Sequence, residues 1–181
     1  MKHHVSGIAG LATIAMVGGA VLLLQAIVAV ATSTPDSFTG TTSGYFSDGL
    51  SAAGLVLTIA GLIALRLVRA TGDGRDGVTA IVLACVGQLG LVVSIVATLA
   101  AGREVLDAVY IVAFVVWFVG LVLVAITTAT AHDLPRWSAV PLPLGALTAT
   151  AFWAHGGSAL LGAAWIALGL LLLRRTSTTR P

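Results

Sequence analysis

Long apolar runs alternate with short polar breaks along this chain of 181 residues. At 1.5 Å per residue, each of the first four runs is long enough to cross a hydrocarbon core about 30 Å thick. The last apolar stretch, 138–175, is too long for one span, and His155-Gly156-Gly157 divides it in two. The pattern predicts an all-α protein, a single bundle over residues 1–181 with six transmembrane helices. Their approximate predicted ranges are 5–32, 48–70, 77–102, 107–130, 139–154 and 158–174.

Two segments allow a second interpretation. Ala29-Val30-Ala31 resembles a signal-peptide cleavage site, but the apolar stretch before it exceeds the 7–15 residues of a typical signal sequence core. We therefore favour a retained first helix over a cleaved one. The stretch 138–175 can also form a re-entrant hairpin, but we favour two short helices joined by a tight glycine turn.

Polar residues between the runs predict the loops and the helix ends. The segment Ser33–Ser47 is rich in Ser, Thr and Gly, so we expect a long interfacial loop, with aromatic side chains such as Phe38 at the level of the lipid headgroups. Asp48 and Asp76 are predicted N-caps of the second and third helices. The polar tail from Arg174 onward is expected to be frayed.

Composition makes lipid the solvent of this chain. It is 58% hydrophobic and 9% charged, whereas a soluble domain has about 25% charged residues. The net charge of +2 comes from arginines at helix ends, which indicates orientation and no nucleic-acid binding. With Arg66–Asp76 in the cytoplasm, six spans place both termini there and leave only Arg103 outside. The prediction is a multi-pass protein of the plasma (cytoplasmic) membrane, N-in and C-in.

Uncharged polar residues inside the runs are the candidates for function within the membrane. No ionisable group is predicted deep in the bilayer, where such groups mark transport or proton relays. We expect the polar candidates either to line a polar lane, a path for water or solute across the bilayer, or to form interhelical contacts. They are Gln25, Gln88, Ser94 and Thr98. Counting along the helices puts Gln88 near the midplane and Gln25 near the outer face, so we expect no direct bond between them.

Small residues recur on one face of the second and sixth predicted helices. Such residues let another backbone approach closely, and a small-xxx-small pair is a known contact motif in membranes. The predicted helix-packing faces are Gly54 and Gly61 on the second helix, and Ser158, Gly162 and Gly169 on the sixth. They are expected to face one another, a membrane-protein partner or a second copy of the chain.

The sequence predicts no signature of catalysis or cofactor binding. Cys85 is the only cysteine, which excludes an intramolecular disulfide. No two histidines are predicted to face each other at one depth, as a bis-His haem requires, and no membrane lysine is available for retinal. Ser158 lacks the Gly-x-Ser-x-Gly setting of a nucleophile. We therefore predict no catalytic, cofactor or metal site. The stripe Tyr110, Phe114, Trp117 and Phe118 is predicted to pack or to face lipid.

The C-terminal third carries a resemblance. The turn His132-Asp133-Leu134-Pro135-Arg136-Trp137 is followed by a glycine-bearing apolar pair that ends at Arg174-Arg175. This arrangement resembles that of uncharacterised small six-span integral membrane proteins of high-GC bacteria, and the resemblance implies the six-span architecture alone.

The predicted function follows from the small-residue faces. We expect a non-enzymatic integral membrane protein that acts in the lipid bilayer as an accessory, regulatory or assembly partner, with a membrane protein or its own copy as the partner. The alternative is a small transporter or channel for a neutral or lipophilic solute, which a water-accessible polar lane including Gln88 would favour.

Overall fold

The described part of the chain is a set of long apolar helices. The structure is a computed structural model, and it describes residues 2–32, 41–103 and 105–178. These residues form six α-helices, which confirms the all-α prediction. The helices are α1 (Lys2–Thr32), α2 (Thr42–Leu67), α3 (Arg75–Ala101), α4 (Asp107–Ala131), α5 (Pro141–Ala151) and α6 (Ser158–Thr178), with a 3₁₀ helix at Trp153–His155 between the last two. All but α5 are long and apolar enough to cross a membrane, so the chain is a polytopic membrane protein.

The six helices form a ring in which neighbours in the chain are neighbours in space. α1 lies against both α2 and α6, α2 lies against α3, and α3 lies against α4. α5 packs on α6 and makes a smaller contact with α4. Leucines and Trp165 fill the centre. The outer surface is equally apolar, with Val112 of α4 62% exposed, as expected where the solvent is lipid.

The start of α2 differs from the prediction. The helix begins at Thr42 rather than at Asp48. Thr41 has an extended backbone, and its Oγ1 accepts a hydrogen bond from the backbone N–H of Gly44 at 3.2 Å. This threonine cap satisfies a backbone donor at the helix start, so Asp48 lies within the helix and Ser47 belongs to α2 rather than to a loop. The remainder of the predicted loop, 33–40, lies outside the described residues.

Two other helix ends differ from the prediction. α3 starts at Arg75 with Gly74 as its N-cap, so Asp76 lies in the first turn instead of capping it. A carboxylate there still interacts favourably with the helix dipole. α6 continues to Thr178 where a frayed tail from Arg174 was predicted.

Prolines shorten the regular part of the fifth helix. The predicted range was 139–154, and the α-helix covers Pro141–Ala151. Pro141 and Pro143 have no N–H to donate. The chain before them forms turns closed by hydrogen bonds between residues three apart, such as that from Ser138 N–H to Pro135 O at 2.8 Å. A 3₁₀ helix follows α5 directly. Helical turns therefore cover more of this segment than α5 alone.

The contacts between turns define two ends of the bundle. At one end, Arg175 of α6 pairs with Asp133 of the α4–α5 turn at 3.0 Å, and a Cβ at Gly72 of the α2–α3 turn would lie 3.9 Å from Ala131 Cβ. We call this the basic end, and its arginines are Arg66, Arg69, Arg75, Arg136, Arg174 and Arg175. The opposite end holds the turn into α6, where Gly156 approaches the backbone oxygen of Ala26 on α1.

Candidate functional site

Gln25 is the centre of a polar cluster that joins three helices. Its side chain is fully buried on α1. Its Nε2 donates to Ser47 Oγ of α2 at 3.0 Å, and its Oε1 accepts a hydrogen bond from Ser158 Oγ of α6. Ser158 Oγ also lies 3.3 Å from Leu22 O, a backbone acceptor on α1. We call this cluster the Gln25 clamp.

Gln88 is the centre of a second cluster, which also joins three helices. This fully buried side chain of α3 donates from Nε2 to Thr58 Oγ1 of α2 at 2.7 Å and to the backbone oxygen of Leu55. Its Oε1 accepts from Trp117 Nε1 of α4 at 3.2 Å. Both amide hydrogens and the carbonyl oxygen of Gln88 are therefore used. We call this cluster the Gln88 clamp.

The two clamps lie at different depths. Counted from the start of its own helix at the basic end, Gln88 is roughly 20 Å along α3 and Gln25 is roughly 35 Å along α1. The clamps share no hydrogen bond. Of the other two predicted polar residues, Ser94 is buried on α3, and Thr98 Oγ1 bonds the backbone of Val105 across the α3–α4 turn at 3.4 Å. The structure thus brings no two of the four predicted polar residues together.

The predicted small-residue faces meet neighbouring helices inside the chain. The closest atoms that an added Cβ would meet belong to α1 or α6 in every case. A Cβ at Gly162 would lie 2.6 Å from the backbone oxygen of Gly19, and one at Gly61 would lie 2.4 Å from the Trp165 ring. Gly54 faces Leu22, and Gly169 faces Met16. These glycines are therefore used for packing within one chain.

Several residues of these contacts were missed from sequence. The α3–α4 crossing depends on Gly87, where a Cβ would lie 2.2 Å from Trp117 N, and on Gly120, where it would lie 2.3 Å from Ala84 N. Glycine in a helix interior is less favourable than alanine by about 1 kcal/mol, so a glycine there usually has a packing reason. That signal was available for Gly87 and Gly120, and for Gly19 of the α1–α6 contact.

The aromatic stripe of α4 points toward the protein. Trp117 is buried and held by Gln88. Phe114 meets it edge to face at a centroid distance of 6.3 Å and stacks on Phe118 at 6.1 Å. Tyr110 and both phenylalanines pack against the core. This geometry is that of helix packing.

A shallow groove runs along the outer surface between α3 and α4. Its volume is about 420 Å³, its wall is almost entirely apolar, and it is open on its outer side. The α4 wall consists of residues at helical spacing, and the α3 wall includes a glycine. The residues that shape it include Val86 and Gly90 of α3, and Ala108, Val109, Val112 and Val116 of α4.

Titratable side chains do not converge on the interior. His132 ends α4 at the basic end, and its Nε2 accepts a hydrogen bond from Arg136 Nη2 at 2.7 Å. His155 lies in the 3₁₀ helix at the opposite end. Within 2–32, 41–103 and 105–178, no three His, Cys, Asp or Glu side chains are grouped as a metal site. The polar groups inside the described part of the bundle are therefore mostly neutral side chains: Gln25 and Gln88 are hydrogen-bonded, whereas Ser51 Oγ and Trp165 Nε1 are buried without a hydrogen bond.

No protein-family model, curated protein or solved structure matches this chain.

Proposed function

We propose that this chain is a non-enzymatic integral membrane protein that acts as an accessory, regulatory or assembly partner within the bilayer. The observation that carries the proposal is the pair of clamps. Together they tie α1, α2, α3, α4 and α6 through Gln25 and Gln88, whose polar atoms are engaged by side chains and backbone of the same protein. A polar lane needs such groups free to exchange partners with water or solute. A closed interior leaves the membrane-exposed surface as the place where function is performed.

The proposal includes six spans with both termini in the cytoplasm. Segment 136–155 leads from the basic end to the opposite end. At about 2.0 Å per residue outside α5 and 1.5 Å per residue within it, the segment is roughly 35 Å long. That is enough to cross a hydrocarbon core about 30 Å thick. The basic end collects most of the arginines, and exposed Trp137 lies there as an interfacial aromatic. The positive-inside rule places that end in the cytoplasm.

Reporter fusions test the orientation. A reporter fused after Pro181 should be active on the cytoplasmic side, and one fused after Gly102, in the α3–α4 turn, should be active outside. The cytoplasmic membrane is the expected location of both fusions. An external signal from the Pro181 fusion would contradict the six-span arrangement, because it requires an odd number of crossings.

Native mass spectrometry tests the partner. The full-length protein is extracted gently from its own membrane, and the mass of the intact particle is measured. We expect a second polypeptide or a second copy in a fixed ratio. A bare chain under conditions that keep known membrane complexes intact would contradict the accessory role.

Cys85 tests the closed interior directly. It lies about 15 Å along α3 from Arg75, near the midplane, and it is the only cysteine. We expect a water-soluble thiol reagent to leave it unlabelled in intact membranes. The control is Arg103→Cys in a Cys85→Ala background, which places the thiol in the exposed α3–α4 turn. Labelling of Cys85 as fast as the control would show water at the midplane and would favour a transporter.

A further inference from the structure

We propose that the Gln25 clamp binds one internal water molecule, held by the amide of Gln25 and the hydroxyls of Ser47 and Ser51. The inference rests on a buried hydroxyl that the clamp leaves unused, on the alignment of α1 with α2, and on the hydrogen-bonding capacity of the three side chains. It does not depend on the accessory role.

Ser51 of α2 carries the unused hydroxyl. The residue is only 1% exposed, and its Oγ has no hydrogen bond to the part of the chain that the structure describes. Leaving a buried hydroxyl without a partner is costly, and ordered water is a common partner of such groups in folded proteins. Ser51 therefore marks a place where a polar molecule would be bound.

The alignment of α1 with α2 places Ser51 opposite Gln25. A Cβ added at Gly54 would lie 2.7 Å from Leu22 Cγ, so these two residues face each other across the contact. The same antiparallel alignment recurs closer to the basic end. One turn further from the basic end than Gly54 and Leu22, the two helices present Ser51 and Gln25. The unused hydroxyl and the clamp glutamine therefore lie at one depth.

The three side chains have capacity for a further hydrogen bond each. Gln25 Nε2 carries two hydrogens, and within residues 2–32, 41–103 and 105–178 it donates to Ser47 Oγ alone, at 3.0 Å. That oxygen has a second lone pair, and Ser51 Oγ has both of its own. The two serines are one turn apart on α2, with Cβ atoms about 5–6 Å apart. One water with two hydrogen bonds of about 2.8 Å spans that gap.

The chemistry of these groups favours water over an ion. The bound molecule must accept a hydrogen bond from the Gln25 amide and donate to the two serine oxygens. A cation cannot accept, and a simple anion cannot donate, whereas water does both and makes about three bonds when buried. Gln25 also lies only about 10 Å along α1 from its end at Thr32, so water reaches it from the outer surface.

The Gln88 clamp provides the contrast. Both of its amide hydrogens and its carbonyl oxygen are used by Thr58, Leu55 and Trp117, and it lies near the midplane. No donor or acceptor of Gln88 is left for water. The geometry therefore assigns water to one glutamine and none to the other.

NMR of the side-chain amides tests this assignment. Gln25 and Gln88 are the only glutamines, and the chain contains no asparagine, so only these two side chains give carboxamide signals. The isotope-labelled full-length protein in lipid nanodiscs is measured for through-space magnetisation transfer from water, and Gln88→Leu assigns the two signals. We expect transfer to Gln25 and none to Gln88. Transfer to neither would overturn the proposal, and transfer to both would overturn it in favour of a water path to the midplane.

The sign of the Ser51→Ala effect is a second test, measured by SDS titration. Alanine removes an acceptor of the bound water, so the folding equilibrium constant should fall about fivefold. A hydroxyl that was unpaired, or bonded to a carbonyl oxygen of its own helix, would give an unchanged or higher constant, because alanine is the better helix former.

The matched control is Ser51→Ala in a Gln25→Leu background, where the water has lost its donor. We expect no fall in the folding equilibrium constant from the added alanine there. The absence of a fall in the wild-type background, or a fall of the same size in both backgrounds, would overturn the proposal.

Discussion

The α1–α6 contact and the α3–α4 contact are built from the same parts but join different portions of the chain. In each, two glycines bring backbones together. Gly19 faces Gly162 in the first contact, and in the second Gly87 faces the backbone of Trp117 while Gly120 faces that of Ala84. In each, one glutamine on the first helix accepts a hydrogen bond from the second helix. The α3–α4 pair is connected by a short turn, whereas α1 and α6 are the first and last helices of the bundle.

This difference separates a local contact from one that closes the ring. Closing a short loop loses little chain entropy, and the loss grows with loop length. The α3–α4 hairpin can therefore form as soon as both helices exist. The α1–α6 contact holds the two ends of the chain together, and the Gln25 clamp depends on it. Substitutions that disrupt the α1–α6 contact should therefore open the bundle. Substitutions that disrupt the α3–α4 contact should leave the two helices joined by their short turn.

The largest expected effect is that of Gly162→Leu. The first side-chain carbon would lie 2.6 Å from the backbone oxygen of Gly19, and a backbone atom cannot move aside as a side chain can. We expect a loss of about 3 kcal/mol or more in the free energy of unfolding, at the upper end of overpacking effects. The measurement is unfolding by SDS titration followed by circular dichroism.

The matched control for that variant is Gly10→Leu on α1. Nothing lies within 4 Å of a Cβ added there, and leucine is a better helix former than glycine. The stability of this variant should be unchanged or slightly raised. If Gly162→Leu and Gly10→Leu proved equally stable, the α1–α6 contact would not be the closure of the bundle.

A smaller effect is expected for Gln88→Leu. It removes the acceptor of Trp117 Nε1 and the donors to Thr58 and Leu55, and near the midplane no water can replace them. The expected loss is about 1–2 kcal/mol. Adding Trp117→Phe removes the indole N–H that has lost its acceptor. The double variant should therefore lose less free energy of unfolding than the sum of the losses in the two single variants. Additive losses in that double-mutant cycle would contradict the Gln88 clamp.

Gln25→Leu is expected to lower the free energy of unfolding by about 0.5–1 kcal/mol, which is less than the loss for Gln88→Leu. Its partners are two serine hydroxyls, which can turn to backbone carbonyl oxygens once the glutamine is gone. Ser158 already has Leu22 O within 3.3 Å. SDS titration of both glutamine variants in parallel measures the order. A larger loss for Gln25 would show that sequence separation matters more than depth and partner type.

The difference between these two contacts also explains what the sequence could predict. Uninterrupted apolar runs were enough to place α1, α3 and α4 within a few residues, because helix length in a membrane is set by the bilayer. Gln25 and Gln88 stood out as polar residues in apolar surroundings. Their partners could not be predicted, since Ser158 lies 133 residues from Gln25 in the chain and pairing at that separation depends on the ring arrangement.

The prediction failed where local chemistry overrode composition. Residues around Ser47 have the composition of a loop, yet the Thr41 cap starts α2 before them and thereby positions Ser47 for the Gln25 clamp. At the fifth helix the apolar run predicted a regular helix. Because Pro141 and Pro143 have no N–H group, the chain before the short α5 forms turns closed by hydrogen bonds between residues three apart.

The smallest expected effect is that of Arg175→Gln at the end of α6. Arg175 pairs with Asp133 at 3.0 Å, with about a third of each side chain exposed, so solvent screens the pair. We expect a loss of about 0.5 kcal/mol that disappears at high salt. Arg69→Gln is the control, because the Arg69–Asp73 pair is local, four residues apart and well exposed, and its loss should be smaller still. An Arg175→Gln loss as large as that of Gly162→Leu would mean that the ring is closed at its basic end by charge rather than along α1 and α6 by backbone contact.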